Sequence, residues 1–372
     1  MNKTERITGF DTLRFLMVFL VIALHSAMTY MEYGVPWWYV IDDHKNLFFT
    51  YFVVLFDSFP MSVLFFLAGY FAYSSYYKNG LVIFLKDKAL RLGVPWLLGV
   101  ILVAPLLARS SFIALGYPPP GMFSFVTQYF LGPLYQQGPY WFLGILLFFM
   151  IFYAVAATLS KKTRISERWN RKPVTKPLII LMALWVVSVL TYYLSGRYVK
   201  PAVDWLNIGY ILYFQPSRIV GYILIFMAGL YGRRTDWFTE NGWSPNVFFW
   251  GTLSVVSSVC LLGFKFFLTS AYGELFGFVS EALTYNTVML SMTLFLSAFF
   301  SKSPQFPHVL TKNFETDTFG IYWLHMIILM PMLYFLKLLN IPIGIKWLFS
   351  IVATVIISSL VLVCGRRLKK LL

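Results

Sequence analysis

Charge is what this chain has least of. Only 12% of its 372 residues are Asp, Glu, Lys or Arg, against 59% hydrophobic. An ordinary soluble domain, with about a quarter of its residues charged, is excluded by that balance. Cysteine is nearly absent as well. Cys260 and Cys364 both lie inside apolar runs and offer neither a disulfide framework nor metal-ligand spacing. The chain has no G-x-G-x-x-G, Walker A, H-E-x-x-H or C-x-x-C pattern, so the common dinucleotide, nucleotide-triphosphate, zinc-protease and thiol-redox signatures are missing. No internal repeat is evident, which counts against a transporter built from inverted repeats. A small-residue cleavage site is also lacking after the first apolar run, which follows Lys3 and Arg6. That run is expected to stay as a signal anchor rather than be removed.

What is present is long hydrophobic sequence rich in aromatics, which make up 20% of residues and suit interfacial belts of Trp and Tyr. Hydropathy predicts ten membrane spans, at 13–33, 47–76, 92–109, 140–160, 177–195, 208–231, 246–269, 277–300, 318–338 and 346–364. The expected fold is therefore all-α: a single integral-membrane domain over 1–372 with about ten transmembrane helices. Between the third and fourth spans lies a proline-rich aromatic loop, 110–139, containing Tyr117-Pro118-Pro119-Pro120-Gly121. The net charge of +15 follows the positive-inside rule better than a nucleic-acid role. With both termini cytoplasmic, 22 of the 30 Lys and Arg fall inside, including the run Lys161 to Lys176, which is read as a topogenic, lipid-facing loop.

The few ionisable residues within the spans are the functional candidates, because such groups are costly in lipid. Arg14 and His25 sit on the first span eleven residues apart. That is close to three helical turns, so they share a face, about 16 Å apart along the axis. For Arg14 the plain alternative is an interfacial anchor. For His25 it is a neutral histidine bonded to a neighbouring helix, against a general base or proton relay. Asp57, ten residues into the second span, is placed at a depth similar to His25, where a carboxylate can orient an imidazole. Either that dyad or a structural pair with another helix fits. Lys86, Lys88 and Arg91 form a basic cluster at the cytoplasmic edge, suited equally to the phosphates of a nucleotide-bearing donor or to anionic lipid. Arg218 reads as a midplane cation beside a helix break at Pro216, and His325 as lying two turns inside the ninth span. Asp317 reads as an N-terminal helix residue favoured by the dipole, and Glu281 as a surface carboxylate. No metal site is expected. Arg14, His25, Asp57, Arg218 and His325 can line one polar cavity if their helices meet.

Several short patterns occur in a fixed order: Arg14-x10-His25, Phe65-Phe66-Leu67-Ala68-Gly69-Tyr70-Phe71, the basic stretch Lys86 to Pro95, Trp141-Phe142-Leu143 and Ile321-Tyr322-Trp323-Leu324-His325. Along nearly its whole length the chain resembles the acyltransferase type 3 family of integral membrane proteins. Within it, the likeness is to the osmoregulated periplasmic glucan succinyltransferases. The resemblance implies transfer of an acyl group, acetyl or succinyl, from cytosolic acyl-CoA to a hydroxyl of an extracytoplasmic glycan or lipid-linked sugar, at the bacterial inner membrane. It further implies His25 as base or acyl carrier, and Arg14, Arg91 and Lys88 as holding the CoA phosphates. From the intramembrane residues themselves, Asp57 is the candidate catalytic partner of His25, and Arg218 and His325 are candidates for binding substrate. Two positions depart from the family pattern: Lys88 stands where Arg is frequent, and Ala68 where Ser is usual. Without an esterase-like soluble domain, the membrane part is expected to deliver the acyl group itself or hand it to a separate protein. The competing readings are a transporter, which would need no acyl-CoA, and a structural scaffold, which would tolerate loss of His25.

Overall fold

The computed structural model describes residues 7, 9–35, 37–118, 120–162, 177–201, 204–240, 242–302 and 308–371. The basic run predicted to be topogenic lies mostly outside them, and the side chains of Lys161 and Lys162 are likewise not described. The principal helices are α1 (Gly9–Ala27), α2 (Leu47–Phe56), α3 (Pro60–Lys88), α4 (Ala104–Ala114), α5 (Trp141–Lys162) and α6 (Pro177–Tyr198). They continue with α7 (Pro216–Arg234), α8 (Val247–Gly263), α9 (Glu274–Lys302), α10 (His308–Lys337) and α11 (Ile343–Leu371). Among the described residues eight helical segments are long and apolar enough to cross a membrane, so this is an all-α, multi-pass membrane protein.

Three predicted spans meet a different local structure. Spans 47–76 and 92–109 fall within one helical run, Leu47–Ala114, of 68 residues. It is interrupted by a turn at Asp57–Phe59 and by Gly80, whose φ of 72° only glycine adopts cheaply. The predicted span 208–231 begins instead as a two-stranded antiparallel hairpin, β1 (Leu206–Ile208) and β2 (Leu212–Phe214), with Leu206 opposite Phe214. Gly209 and Tyr210, with φ of 60° and 61°, turn the chain between the strands. The helix then starts at Pro216, whose missing N–H is no loss in a first turn.

The chain forms two compact units. In the first (Met1–Pro60, Leu98–Tyr140 and Phe300–Leu372), α1 packs against α10 and α11. Its buried face carries Phe10, Leu13, Met17, Val21 and Ile22. Polar contacts fix the register with α11: Ser26 Oγ lies 2.6 Å from Ser350 Oγ, and the Trp347 indole donates to the Ala23 carbonyl at 3.0 Å. Asp317 is not a helix-start residue. It lies nine residues into α10, buried, and accepts a forked pair of bonds from Arg366 of α11.

In the second unit (Met61–Leu97 and Trp141–Phe299), α3 and α7 cross at glycines. A Cβ on Gly69 would collide with the Phe226 carbonyl, and one on Gly229 with the Phe66 carbonyl. The small residues let the two backbones approach closely, as expected for helices in lipid. Buried hydrogen bonds tie the other helices: Ser188 donates to the Asn286 side chain, and Ser62 lies 3.1 Å from Thr293.

Candidate functional site

The candidate site lies in the first unit, where α1 meets α10. His25 stands in the last turn of α1, and His325 lies 300 residues away on α10. The packing of the two helices brings His25 Nδ1 to 3.0 Å from His325 Nε2. The rings are nearly coplanar, at 4°, with centroids 5.1 Å apart. A 3.0 Å nitrogen contact between coplanar rings at that separation is an end-to-end N–H···N bond, not a face-to-face stack.

The protons in this pair are fixed by what lies behind it. His325 Nδ1 contacts the backbone carbonyl of Tyr322, one turn earlier in α10. A carbonyl only accepts, so His325 Nδ1 carries the hydrogen, and in a neutral ring its Nε2 must be the acceptor. His25 Nδ1 is therefore the donor of the inter-ring bond. That leaves the His25 Nε2 lone pair facing away from the pair. The Tyr322 carbonyl orients His325, and His325 orients and selects the tautomer of His25, a logic familiar from catalytic triads.

The turn of α10 that carries this relay is itself clamped. The Tyr322 hydroxyl donates to the Pro139 carbonyl, and the Tyr140 hydroxyl donates to the Trp323 carbonyl at 3.1 Å. His325, Tyr322 and Tyr140 are all fully or nearly fully buried. On its other side His25 meets the indole of Trp38, with ring centroids 5.6 Å apart at 28°. No pattern in the sequence pointed to this contact.

The remaining sequence-derived candidates are placed as follows. Arg14 is on α1 as expected, half-buried, with Nη1 2.8 Å from Asp11 Oδ1. Asp57 caps the C-terminal end of α2, and its N–H donates to the Val53 carbonyl. The contacts described for His25 are with His325 and Trp38. The partner of His25 is another imidazole. In the second unit, Lys88 and Arg91 share Asp87, at 2.9 Å and 2.7 Å, and Lys88 also lies over the Phe84 ring. Arg218 is buried, but in the first turn of α7 rather than mid-helix, with its guanidinium 4.8 Å from the Tyr285 ring centroid. Glu281 is not a lone surface carboxylate. It is only partly exposed and pairs with Lys265 at 2.7 Å. Among the described residues, no group of three His, Cys, Asp or Glu stands close enough to hold a metal ion.

Comparisons with known proteins agree with the motif pattern. A model of the acyltransferase type 3 family, described as an acyltransferase domain, matches residues 7–363. Glucans biosynthesis protein C of Escherichia coli K12 is 31% identical over 107 residues, which is 29% of this chain and 26% of that protein. The same protein of Shigella dysenteriae serotype 1 matches to the same extent. The chain thus aligns with only about a quarter of the length of these relatives. No solved structure matches. With the family model covering nearly all of its length, the chain belongs to the acyltransferase type 3 family, as a multi-pass membrane protein.

Proposed function

We propose that this protein moves an acetyl or succinyl group from cytosolic acyl-CoA to a hydroxyl of an extracytoplasmic glycan or lipid-linked sugar, with His25 as general base. The observation that carries the reading is the relay from the Tyr322 carbonyl through His325 to His25, which leaves one unshared nitrogen lone pair, on His25 Nε2. Family membership supplies the reaction class. The acceptor class rests on the name of the relatives, which speaks of glucans.

The steps balance without a further reactant. His25 Nε2 takes the proton of the acceptor hydroxyl as its oxygen attacks the thioester carbonyl. The carbon–sulfur bond then breaks, and the same proton goes to the departing thiolate, giving an ester and free CoA. While His25 is an imidazolium, its Nδ1–H remains bonded to His325 Nε2, which stabilises the charge without a buried carboxylate. Arg14, Lys88 and Arg91 are each candidates for holding the donor's phosphates, to which guanidinium and ammonium groups are suited. From the depth of Arg14 to that of His25 is about 16 Å along α1, a distance a pantetheine arm can span. The charge pattern along the sequence supports cytoplasmic termini, and a plasma-membrane location is what the family resemblance implies.

The test is thiol release from acetyl-CoA and succinyl-CoA by purified protein in detergent, comparing wild type with His25→Ala. Release by the wild type that is lost in a folded His25→Ala variant supports the reading and names the donor. Absence of binding and turnover with both donors in the wild type removes it.

A further inference from the structure

The segment between α1 and α2, Met31 to Asn46, doubles back on the end of α1. Its base is closed by a backbone bridge between Met31 and Asn46, with Asn46 N–H donating to the Tyr30 carbonyl at 3.0 Å. Although this is a connecting loop, Trp38, Tyr39 and Val40 are buried. Two bonds set Trp38 against the helix end. Its indole N–H donates to Thr29 Oγ1 at 3.2 Å, and Asp42 N–H donates to the Thr29 carbonyl at 3.1 Å.

The loop also carries a buried ion pair. Asp42 Oδ2 and Lys346 Nζ are 2.9 Å apart, and both side chains are 1% exposed. Lys346 sits in the first turn of α11 and also reaches the Lys337 carbonyl at the end of α10. Beside it, Asp43 pairs with Lys337 at 3.5 Å. Asp42 Oδ1 accepts from the His44 backbone N–H at 2.9 Å, and the exposed His44 ring lies 3.5 Å away. The loop is thus tied by charge to the ends of both helices that pack on α1.

A buried ion pair is a poor source of stability, because desolvating two charges offsets their attraction, and apolar replacement of both is frequently neutral. What such a pair does supply is a fixed geometry. We propose that the Asp42–Lys346 pair is a positioning device for the reaction: it locks the 31–46 loop so that Trp38 stays packed on His25 and holds the imidazole in line with His325. Asp42 and Lys346 act through Trp38 and touch no reacting atom. The His25 ring is bounded on one side by His325 and on the other by Trp38. Releasing Trp38 frees the ring to rotate about its χ angles and breaks the aim of Nε2. The inference rests on the proposed role of His25, and one of its readouts does not need turnover.

The test uses the full-length protein in detergent. Asp42→Asn combined with Lys346→Met removes both charges together and avoids leaving either one buried alone. Trp38→Ala removes the packing ring, and Trp38→Phe keeps an aromatic face. The first readout is the absolute rate of His25 modification by diethyl pyrocarbonate, located by mass spectrometry. The expected result is faster labelling of His25 in the double variant and in Trp38→Ala, with Trp38→Phe close to wild type. The second readout is acyl-CoA turnover. A misaligned base is expected to lower kcat about tenfold to a hundredfold at unchanged KM for the donor. Because the pair acts through Trp38, adding Trp38→Ala to the double variant should cost nothing more. Wild-type His25 labelling in a folded double variant overturns the proposal, as does a triple variant whose loss is the product of the two. If the double variant does not fold, Trp38→Ala decides alone, and unchanged labelling of His25 overturns the proposal. A wild type that labels as expected but never turns over acyl-CoA counts against the acyltransfer role of His25 and leaves the positioning role standing.

Discussion

Replacing His325 is the most direct test of the relay. In His325→Leu the His25 Nδ1–H loses its acceptor, while the substituted side chain keeps the buried site filled. A hydrogen bond between neutral groups contributes about 0.5–1.5 kcal/mol net. At about 1.4 kcal/mol per factor of ten, loss of the bond lowers the population of the competent tautomer by roughly twofold to tenfold. Loss of ring orientation adds to this, so kcat is expected to fall about tenfold to a hundredfold. The lost interaction positions the base without contacting the donor, so KM for acyl-CoA should stay within about twofold. His325→Gln places an amide oxygen near the position of Nε2, and it should recover part of the loss by accepting from His25 Nδ1. The assay is initial-rate thiol release in detergent at several donor concentrations, with size-exclusion profile and thermal melt as controls for folding. A folded His325→Leu variant with wild-type kcat would refute the relay, because nothing else in the described structure selects the His25 tautomer.

Three further outcomes are expected. Neutralising Lys88 and Arg91 together should raise KM for acyl-CoA about tenfold at low salt with kcat unchanged, and the effect should shrink as ionic strength rises, since exposed charges are screened over roughly 10 Å; a KM insensitive to salt would remove them from phosphate binding. Arg218→Ala should lower the preference for succinyl-CoA over acetyl-CoA by about tenfold if its buried guanidinium pairs with the succinyl carboxylate; an unchanged ratio of the two rates rejects that role. Gly69→Ala forces a methyl group into the Phe226 carbonyl and should destabilise the α3–α7 crossing by about 1–3 kcal/mol, visible as a lower midpoint of thermal unfolding in detergent; an unshifted midpoint would mean that the helices can separate at no cost.

Features that depend on local sequence were readable in it, and features that depend on helix packing were not. The first helix, with Arg14 and His25 on one face, is a matter of hydropathy and of the 3.6-residue turn, and α1 forms as expected. Gly69, inside the motif Phe65–Phe71, is where α7 comes close to the backbone of α3, as a small residue permits. By contrast, Asp57 and His325 were both plausible neighbours of His25 by depth. Depth fixes only one coordinate, and the azimuth of each helix decides which side chains meet. His325 meets His25 because α10 presents it to α1, whereas Asp57 falls where α2 has already ended. Lys346 stands out in the sequence only as the first residue of a predicted span. It is buried because the 31–46 loop folds back and brings Asp42 to it, a contact across 304 residues that no local pattern announces. The hairpin at Leu206–Phe214 was hidden for another reason. Its residues are as apolar as a helix's, and only two positive φ angles in the turn distinguish it.

In the proposed mechanism a second histidine stands where soluble enzymes commonly place a carboxylate, and that arrangement has a physical basis in the setting of this site. An ionised carboxylate in a span is costly in its resting state, and it demands a permanent cationic partner. The carboxylates of the first unit that are buried follow that rule: Asp42 is held by Lys346 and Asp317 by Arg366. Each of these pairs is committed to holding helices and loops together. A neutral imidazole–imidazole pair bonded to a backbone carbonyl satisfies every nitrogen it needs to orient while carrying no charge at rest. On the proposed mechanism, charge appears only when His25 takes a proton from an acceptor, and it disappears when the thiolate leaves. The cost of desolvation is thus confined to the reaction itself, where the developing negative charge on the thioester oxygen partly offsets it. The relay is weaker than an aspartate at stabilising the imidazolium, and that weakness makes its geometry matter more. It fits that the turn carrying His325 is clamped by two tyrosine hydroxyls, and that a loop anchored by a buried ion pair packs on the other side of His25.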